Sequence, residues 1–536
     1  SPVEDPSLFP EFNAASAIPP PTKENTVFNP ERNLYWGDLH IHTSYSTDAY
    51  TSGVKATPND AYTFVKGGEI KHAGGYGIRM SRPLDFAAVT DHSEYIGVLR
   101  ATDPDLPLKK RGLRERLLKD GRISNTLLMA QTMLGFDLEN ALVPGWKDFS
   151  RAAWRDIVAT AEKHNDPGRF TAFIGYEWSS MPGERNLHRN VIYRSAHVPE
   201  LPFSSVDSED PRDLWTALEQ QRKQGMTSFA IPHNGNVSDG RMYDEVMYDG
   251  KVMDASYARR RMENEPLSEI FQVKGSSECA LGVGATDEEC GFGQVLAPCQ
   301  PGQESGCAFT TSFARQGLKI GLQMQADMGF NPFAFGLIGS TDTHNSSPGD
   351  VEEWDFAGKV AAASSPATRR ITEWPGRKPY ESILQFHTSG GLTGVWAEEN
   401  TRDAIFKGMQ HREVYATSGP RITLRFFAGW GFDEDITDQP DAIALAVDGG
   451  VPMGGVLTPD TGQTDSPIFF VWAAADLMSA PLQRLQMVKG WVDAEGVTHD
   501  SVRDISCSDG LKIDGSNLRC PDNGASVNIA NCEGLG

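Results

Sequence analysis

The stretch Asp38-Leu39-His40-Ile41-His42 is the strongest constraint this sequence places on its own fold. It closes the run NLYWGDLHIH, whose alternating apolar and polar residues read as a strand. Side chains alternate faces along a strand, so Asp38, His40 and His42 are expected on one face, with Leu39 and Ile41 packing on the other. Two imidazoles at a strand end are a plausible start for a metal site. With 12 histidines in 536 residues, however, chance alone supplies about 0.3 His-x-His pairs. The pair gains meaning only from residues further down the chain.

Six more short apolar runs come after it, each ending in polar residues or glycine: LDFAAVTDH, FTAFIGYEW, SFAIPHN, EIFQVKG, FGLIGSTDTH and GGLTGVWAEE. Helical patterns fall between several of them, at Phe149 to His164, Pro211 to Gly225, Thr311 to Met328 and Thr401 to His411. Strands alternating with helices predict an α/β fold with a parallel sheet, and seven strands suit a closed or nearly closed barrel. The first four strands and the sixth each end in a potential ligand: His40 and His42, then Asp91-His92, Glu177, His233, and Asp342 with His344. A parallel barrel gathers the carboxyl ends of its strands on one rim, which makes these scattered residues neighbours. Asp48, just after the first strand, and His188, shortly after Glu177, complete a set with His40, His42, His92, Glu177, His233, Asp342 and His344.

Composition bounds the partners. The net charge of -23, from 49 basic and 72 acidic side chains, repels nucleic acid and anionic lipid. No apolar run is long enough for a membrane span. A small anionic ester substrate would therefore need strong local positive charge, such as bound metal; the oligomeric state is not legible. The cysteines fall in two groups, Cys279, Cys290, Cys299 and Cys307, then Cys507, Cys520 and Cys532. They lack Cys-x-x-Cys spacing and read as disulfides, with one thiol left over. That, and a start at Ser1 without methionine, predicts a periplasmic or secreted protein.

The length predicts more than one domain. Residues 1–32 read as an irregular arm around Ile18-Pro19-Pro20-Pro21-Thr22, and 33–420 as the barrel, with insertions at about 94–148 and 274–310. The second insertion is expected to be pinned by disulfides. From Arg421 the pattern changes to strands without helices, ITLRFFAGW, AIALAV, IFFVWAAA and RLQMVKGWV, which predicts a smaller C-terminal β-sandwich-like domain over 421–536.

The wording DLHIHTSYSTD, VTDHSEY, GYEW with His188, IPHN and STDTH resembles the PHP (polymerase and histidinol phosphatase) superfamily. With KGSSE, GGLTGVWAEENTRDAIF and REVYATSGPRI added, it resembles the DUF3604 branch from about Asn33 to Arg421. The resemblance implies a distorted (β/α)7 PHP-type barrel with a trinuclear metal site. It implies one metal at His40, His42, Glu177 and Asp342, a second at Glu177, His188 and His233, and a third at Asp48, His92 and His344. The acid after His-x-His lies six residues on, one more than the superfamily pattern, which makes Asp48 the loosest match. Three divalent ions against three carboxylates and a bridging hydroxide leave a net charge of about +2, which suits a phosphate-like anion. The expectation is thus a hydrolase of phosphoric esters using two to three divalent ions, zinc, manganese or iron. A sulfatase or other ester or amide hydrolase, and a non-catalytic metal-binding protein, remain as alternatives.

Lys274 and Arg421 are the candidate contacts for a substrate anion, each as readily an ion-paired structural residue. His387 and His411 are not assigned to metal, His411 being expected to close a helix opened by Asn400. His72, His164, His197 and His499 are expected on the surface. Asp38 is expected to orient ligands rather than bind metal, and Glu94 to be a surface carboxylate or to orient a ligand.

Overall fold

A computed structural model of the chain describes residues 26–101, 145–352, 356, 358–359, 388–433, 435–459, 466–528 and 533–535. Most of the expected arm, most of the expected insertion at 94–148, His387 and Cys532 lie outside the described residues.

All seven strand-like runs form strands: β1 (Asn33–Asp38), β4 (Phe86–Val89), β5 (Thr171–Trp178), β7 (Ser228–Pro232), β8 (Leu267–Gln272), β10 (Gly336–Gly339) and β11 (Leu392–Ala397). Further short strands lie outside those runs: the hairpin β2 (Glu69–Lys71) and β3 (Gly77–Arg79), then β6 (Arg189–Tyr193), β9 (Gly275–Ser276) and β12 (Val414–Thr417). The main sheet has seven strands in the order β12-β11-β1-β4-β5-β6-β7, and a smaller one has the order β10-β8-β9. The sheets adjoin along two seams, β8 beside β7 and β10 beside β12. The strand directions depart from the expected (β/α)7 pattern. β1, β4 and β5 are parallel, but β6 and β11 run antiparallel to their neighbours, so the curled sheet is mixed.

β4 and β5 are buried along their whole length, which explains their near-continuous apolar wording. Phe86, Ala88 and Phe173 pack with Ile405, Phe406 and Met409 of helix Arg402–Gln410. Their neighbours Ala87, Val89, Ala172 and Ile174 face the other way, into helices Pro58–Val65 and Trp146–His164. Gly37 lets β1 approach that core, since a Cβ there would meet the Phe86 ring at 2.2 Å. Polar caps start the helices: Thr57 and Asp60 cap each other reciprocally, and Asp210 precedes Pro211. Helix Arg402–Gln410 is capped by Thr401, not Asn400. Asn400 is buried instead, accepting from Thr171 Oγ1 (2.7 Å) and donating to the Asp85 carbonyl (3.2 Å). His411 sits at the exposed far end of that helix.

The C-terminal region is less purely β than expected. β13 (Thr423–Gly429), β14 (Gly450–Pro452) and β15 (Ile468–Ala474) form one antiparallel sheet. β16 (Arg484–Val492) and β17 (Thr498–Cys507) form a hairpin, and β18 (Ser526–Asn528) pairs with β19 (Glu533–Leu535). The run AIALAV lies in a helix, Ala442–Gly449, whose Ala446 packs on Phe427, Phe432 and Phe470. Three alanines favour the helix intrinsically, and the apolar face it needs is supplied by the adjacent sheet.

Disulfides join Cys279 to Cys290, Cys299 to Cys307 and Cys507 to Cys520. The first two pin the expected loop at 274–310, and all three suit an oxidising environment. No described helix is long and apolar enough to cross a membrane. Of the histidines expected on the surface, His197 is exposed, but His72 and His164 are buried, stacked on Tyr76 (4.6 Å) and Tyr62 (5.4 Å). A flat ring packs well on an aromatic neighbour, a context that a single residue in a polar run does not reveal.

Candidate metal centre

The strand exits converge as parallel neighbours should. The β1 ladder stops at Asp38, and the chain beyond it bridges Ile41 to Thr343 after β10, while His92 after β4 bridges Glu177 at the end of β5. Strict alternation is therefore lost, and Leu39 and Ile41 enter different core clusters. His40 and His42 nevertheless converge, their ring centroids 5.2 Å apart. His188 joins from the start of antiparallel β6, His233 from the end of β7, and Asp48 from the short helix Thr47–Thr51.

The structure brings all nine sequence-derived candidates together. His40 Nε2 lies 3.4 Å from Glu177 Oε2 and 3.3 Å from Asp342 Oδ1; His42 Nε2 is 3.1 Å from each of the same oxygens. Glu177 turns its other oxygen to His188 Nδ1 (2.6 Å) and His233 Nε2 (3.1 Å). Asp48 Oδ2 lies 2.8 Å from His344 Nε2 and 3.2 Å from His92 Nε2. Glu177 thus spans two groups of donors, and His92 Nδ1, 3.2 Å from Glu177 Oε2, links the third. Four sets of three or four donor atoms lie within 4.8 Å of one another: His42, Asp48, His92 and His344; His40, Glu177 and His233; His40, His42 and Asp342; His92, Glu177 and His188.

Burial makes this arrangement costly unless it holds cations. His40, His42, Glu177, His233 and Asp342 are at most 1% exposed. Among the described residues, the atoms His40 Nε2, His42 Nε2, Glu177 Oε2, His188 Nε2, His233 Nδ1 and Nε2, and Asp342 Oδ1 have no hydrogen-bond partner. Each buried, unsatisfied polar atom costs about 1–3 kcal/mol, so a native chain rarely leaves several in one place. Burial would raise the Glu177 carboxyl, but the charges of His92, His233 and His188 hold it well below the usual range. Burial would lower His40, yet Asp342, Glu269 and Glu177 hold it well above the usual imidazole range. The carboxylates thus demand positive charge at the point where the ring nitrogens meet. Divalent cations meet that demand, and mixed imidazole and carboxylate donors fit zinc, manganese or iron.

Neighbouring groups hold these side chains in place. Asp38 accepts from Thr341 Oγ1 (2.5 Å), Thr341 N (3.1 Å), Gly349 N (2.8 Å) and His40 N (3.2 Å), which ties the β10 exit to the β1 exit. Asp342 itself has φ +54°, strained for a non-glycine residue, and such strain concentrates at functional positions. Ser46 Oγ meets His42 Nδ1 (2.8 Å) and donates to Asp91 (2.7 Å), which Thr43 also anchors through its backbone N (2.6 Å) and Oγ1 (2.7 Å). Glu94 is buried rather than on the surface. It accepts from the backbone N of Ser179 (3.2 Å), whose Oγ meets His92 Nδ1 at 2.5 Å. Sequence reasoning missed Glu269 of β8, whose carboxylate lies 3.1 and 3.3 Å from His40 Nδ1. A lone carboxylate inside the apolar run LSEIFQV was the available signal.

The two candidate anion contacts separate. Lys274 Nζ pairs closely with Asp342 Oδ2, at the edge of the ligand cluster. Arg421 has none of its described contacts with the cluster. Its guanidinium donates to the carbonyls of Pro83 (3.0 Å) and Arg82 and lies 3.9 Å from Glu352, in the contact between the C-terminal region and the main sheet. Of the two roles expected for Arg421, its described contacts are those of the ion-paired structural residue, at a chain junction next to Thr417-Ser418-Gly419-Pro420.

No curated protein matches the sequence. A crystal structure from Bacteroides vulgatus ATCC 8482, described as a two-domain protein containing a predicted PHP-like metal-dependent phosphoesterase, is similar at 12% identity and TM-score 0.31, covering 76% of this chain and 81% of that one. The sequence profile of the family described as "Protein of unknown function (DUF3604)" matches residues 29–535. With nearly its whole length matched, the chain belongs to the DUF3604 family.

Proposed function

We propose that this protein is a metal-dependent hydrolase of phosphoric esters. The observation that carries the reading is the meeting of His40 Nε2 and His42 Nε2 with Glu177 Oε2 and Asp342 Oδ1, at 3.1–3.4 Å and with no hydrogen bond made by any of the four atoms among the described residues. In this reading His40, His42, Glu177 and Asp342 hold one ion, Glu177, His188 and His233 a second, and Asp48, His92 and His344 a third. When bound, such ions supply Lewis acidity and lower the pKa of water from about 15.7 towards 7, so that no separate side-chain base is required. The chain's part is to fix the donors. Asp38, Asp91 and Glu94 keep the three strand exits in register, and the burial of His40, His42, Glu177, His233 and Asp342 shields that part of the site from solvent.

Lys274 gives the site its substrate preference. Its ammonium neutralises Asp342 in the resting site and is placed to meet an anionic oxygen of a phosphomonoester, phosphodiester or phosphonate ester. The test is a hydrolysis screen with aryl phosphate mono- and diesters, an aryl phosphonate and an aryl sulfate, on protein loaded with zinc or manganese and on protein stripped by chelator. Turnover of a phosphorus ester that disappears on stripping supports the proposal. Turnover of the sulfate alone, or of none, overturns it.

A further inference from the structure

The donor set is not uniform, and the difference lies behind the rings. The Nδ1 atoms of His42 and His92 meet the hydroxyls of Ser46 (2.8 Å) and Ser179 (2.5 Å), and that of His344 meets the carbonyl of Asp342 (3.0 Å); the carboxylate beside the Nδ1 atoms of His92 and His188 is Glu177, itself one of the proposed donors. His40 Nδ1 instead faces both oxygens of Glu269, at 3.1 and 3.3 Å. Glu269 is 1% exposed in fully buried β8, and Gln272 Nε2 donates to it at 3.1 Å, so its charge is directed at His40 rather than at solvent. A carboxylate that accepts Nδ1–H fixes the ring orientation and makes Nε2 a stronger donor than a hydroxyl or carbonyl does. Exposure follows the same division. The His40 and Asp342 side chains are wholly buried, whereas that of Asp48 is 44% exposed.

Resting on the metal-centre reading above, we propose that Glu269 is a positioning residue that makes the ion at His40, His42, Glu177 and Asp342 the tightly held one, and leaves the ion at Asp48, His92 and His344 exchangeable. Free divalent metal then regulates the site by completing it. The inner ion is loaded first and retained; the outer one follows the metal concentration of the surroundings.

The experiment is a chelator titration of the full chain loaded with zinc, with retained zinc per chain measured by mass spectrometry and folding followed by circular dichroism. Zinc leaves in at least two separated steps, the ion at Asp48, His92 and His344 in the first and the ion at His40, His42, Glu177 and Asp342 in the last. Asp48→Asn abolishes the weakly held step and leaves the tight one in place. Glu269→Gln moves the tight step by about 10–100-fold towards lower chelator and leaves the weak step where it was. Glu269→Asp, which keeps the charge, moves it less and serves as the comparison if the glutamine variant folds poorly. A single release step in the unaltered protein, or equal displacement of both steps by either Glu269 variant, overturns the proposal. Zinc retained by no protein at any chelator level defeats the metal reading itself, a distinct outcome.

Discussion

Two buried ionic clusters in this molecule invite comparison. One ties the C-terminal region to the main sheet: Arg82 forks onto Asp476 (2.8 and 3.0 Å), and Arg82 and Arg421 share Glu352 at 3.7 and 3.9 Å. Two guanidinium groups face two carboxylates there, and the charge closes on itself. In the other, among the described residues, Asp48, Glu177, Asp342 and Glu269 face six imidazoles and the single ammonium of Lys274, so the charge closes only with cations at the rings, whether protons or metal ions. A closed cluster needs nothing further and reads as structure. An open one, with bare lone pairs aimed at a common point, reads as a place for cations.

The largest expected effect is at the open cluster. Glu177→Gln removes the carboxylate that spans two donor groups, and kcat/KM for a phosphorus ester falls about 10³-fold or more, the several kcal/mol a bound Lewis acid supplies. Retained metal falls with it. At the closed cluster the effect moves from activity to stability. Asp476→Ala leaves Arg82 without its fork and the backbone N of Arg421 without its acceptor (2.7 Å), at a cost of about 2–4 kcal/mol in urea unfolding. The specific activity of the protein that remains folded is unchanged. If Asp476→Ala lowered kcat/KM as Glu177→Gln does, the division between the clusters would fail.

Lys274→Met tests the permanent cation of the open cluster. Loss of a charge-assisted contact of about 1.5–3 kcal/mol lowers kcat/KM by roughly 10–100-fold, with metal content retained. A change in metal content without a change in kcat/KM would reassign Lys274 to ligand support. The smallest effect concerns a buried histidine outside both clusters. Burial and the charges of Lys66 and Lys163 push His164 down to about 3, so it is neutral in the fold. The unfolded chain, with an ordinary imidazole near 6.5, binds more protons below that pH. This contribution is therefore complete above about pH 6.5 and is lost progressively as pH falls towards 3. In His164→Gln the thermal midpoint falls less steeply over that interval than in the unaltered protein; an equal slope would contradict the assignment.

The open cluster was far more legible in the sequence than the closed one. A ligand at the end of an apolar run leaves a local signal, and the topology of a parallel sheet converts the run ends at His42, His92, Glu177, His233 and His344 into neighbours. Glu269 left a weaker signal, a carboxylate in the middle of a buried strand, because its role depends on which ring faces it across the sheet. Arg421 left none that distinguished it from Lys274. Lys274 closes an apolar run and Arg421 comes after a short polar one, and only the packing of β13 and the Asp476 loop decides that one guanidinium joins two regions. The same limit explains AIALAV: an apolar run of six fits either a strand or a helix, and the sheet it packs on made the choice. β6 escaped because it returns antiparallel beside β5 with no α-helix between them, and β12 because it is only four residues long.

The most direct test of the central claim is an anomalous-difference map from crystals of the protein purified without chelator, recorded on both sides of the absorption edge of the metal found by mass spectrometry. The account predicts a peak within ligand distance, about 2.0–2.2 Å, of His40 Nε2, His42 Nε2, Glu177 Oε2 and Asp342 Oδ1. A map without any peak at His40 and His42, from protein soaked in zinc and manganese, would contradict it.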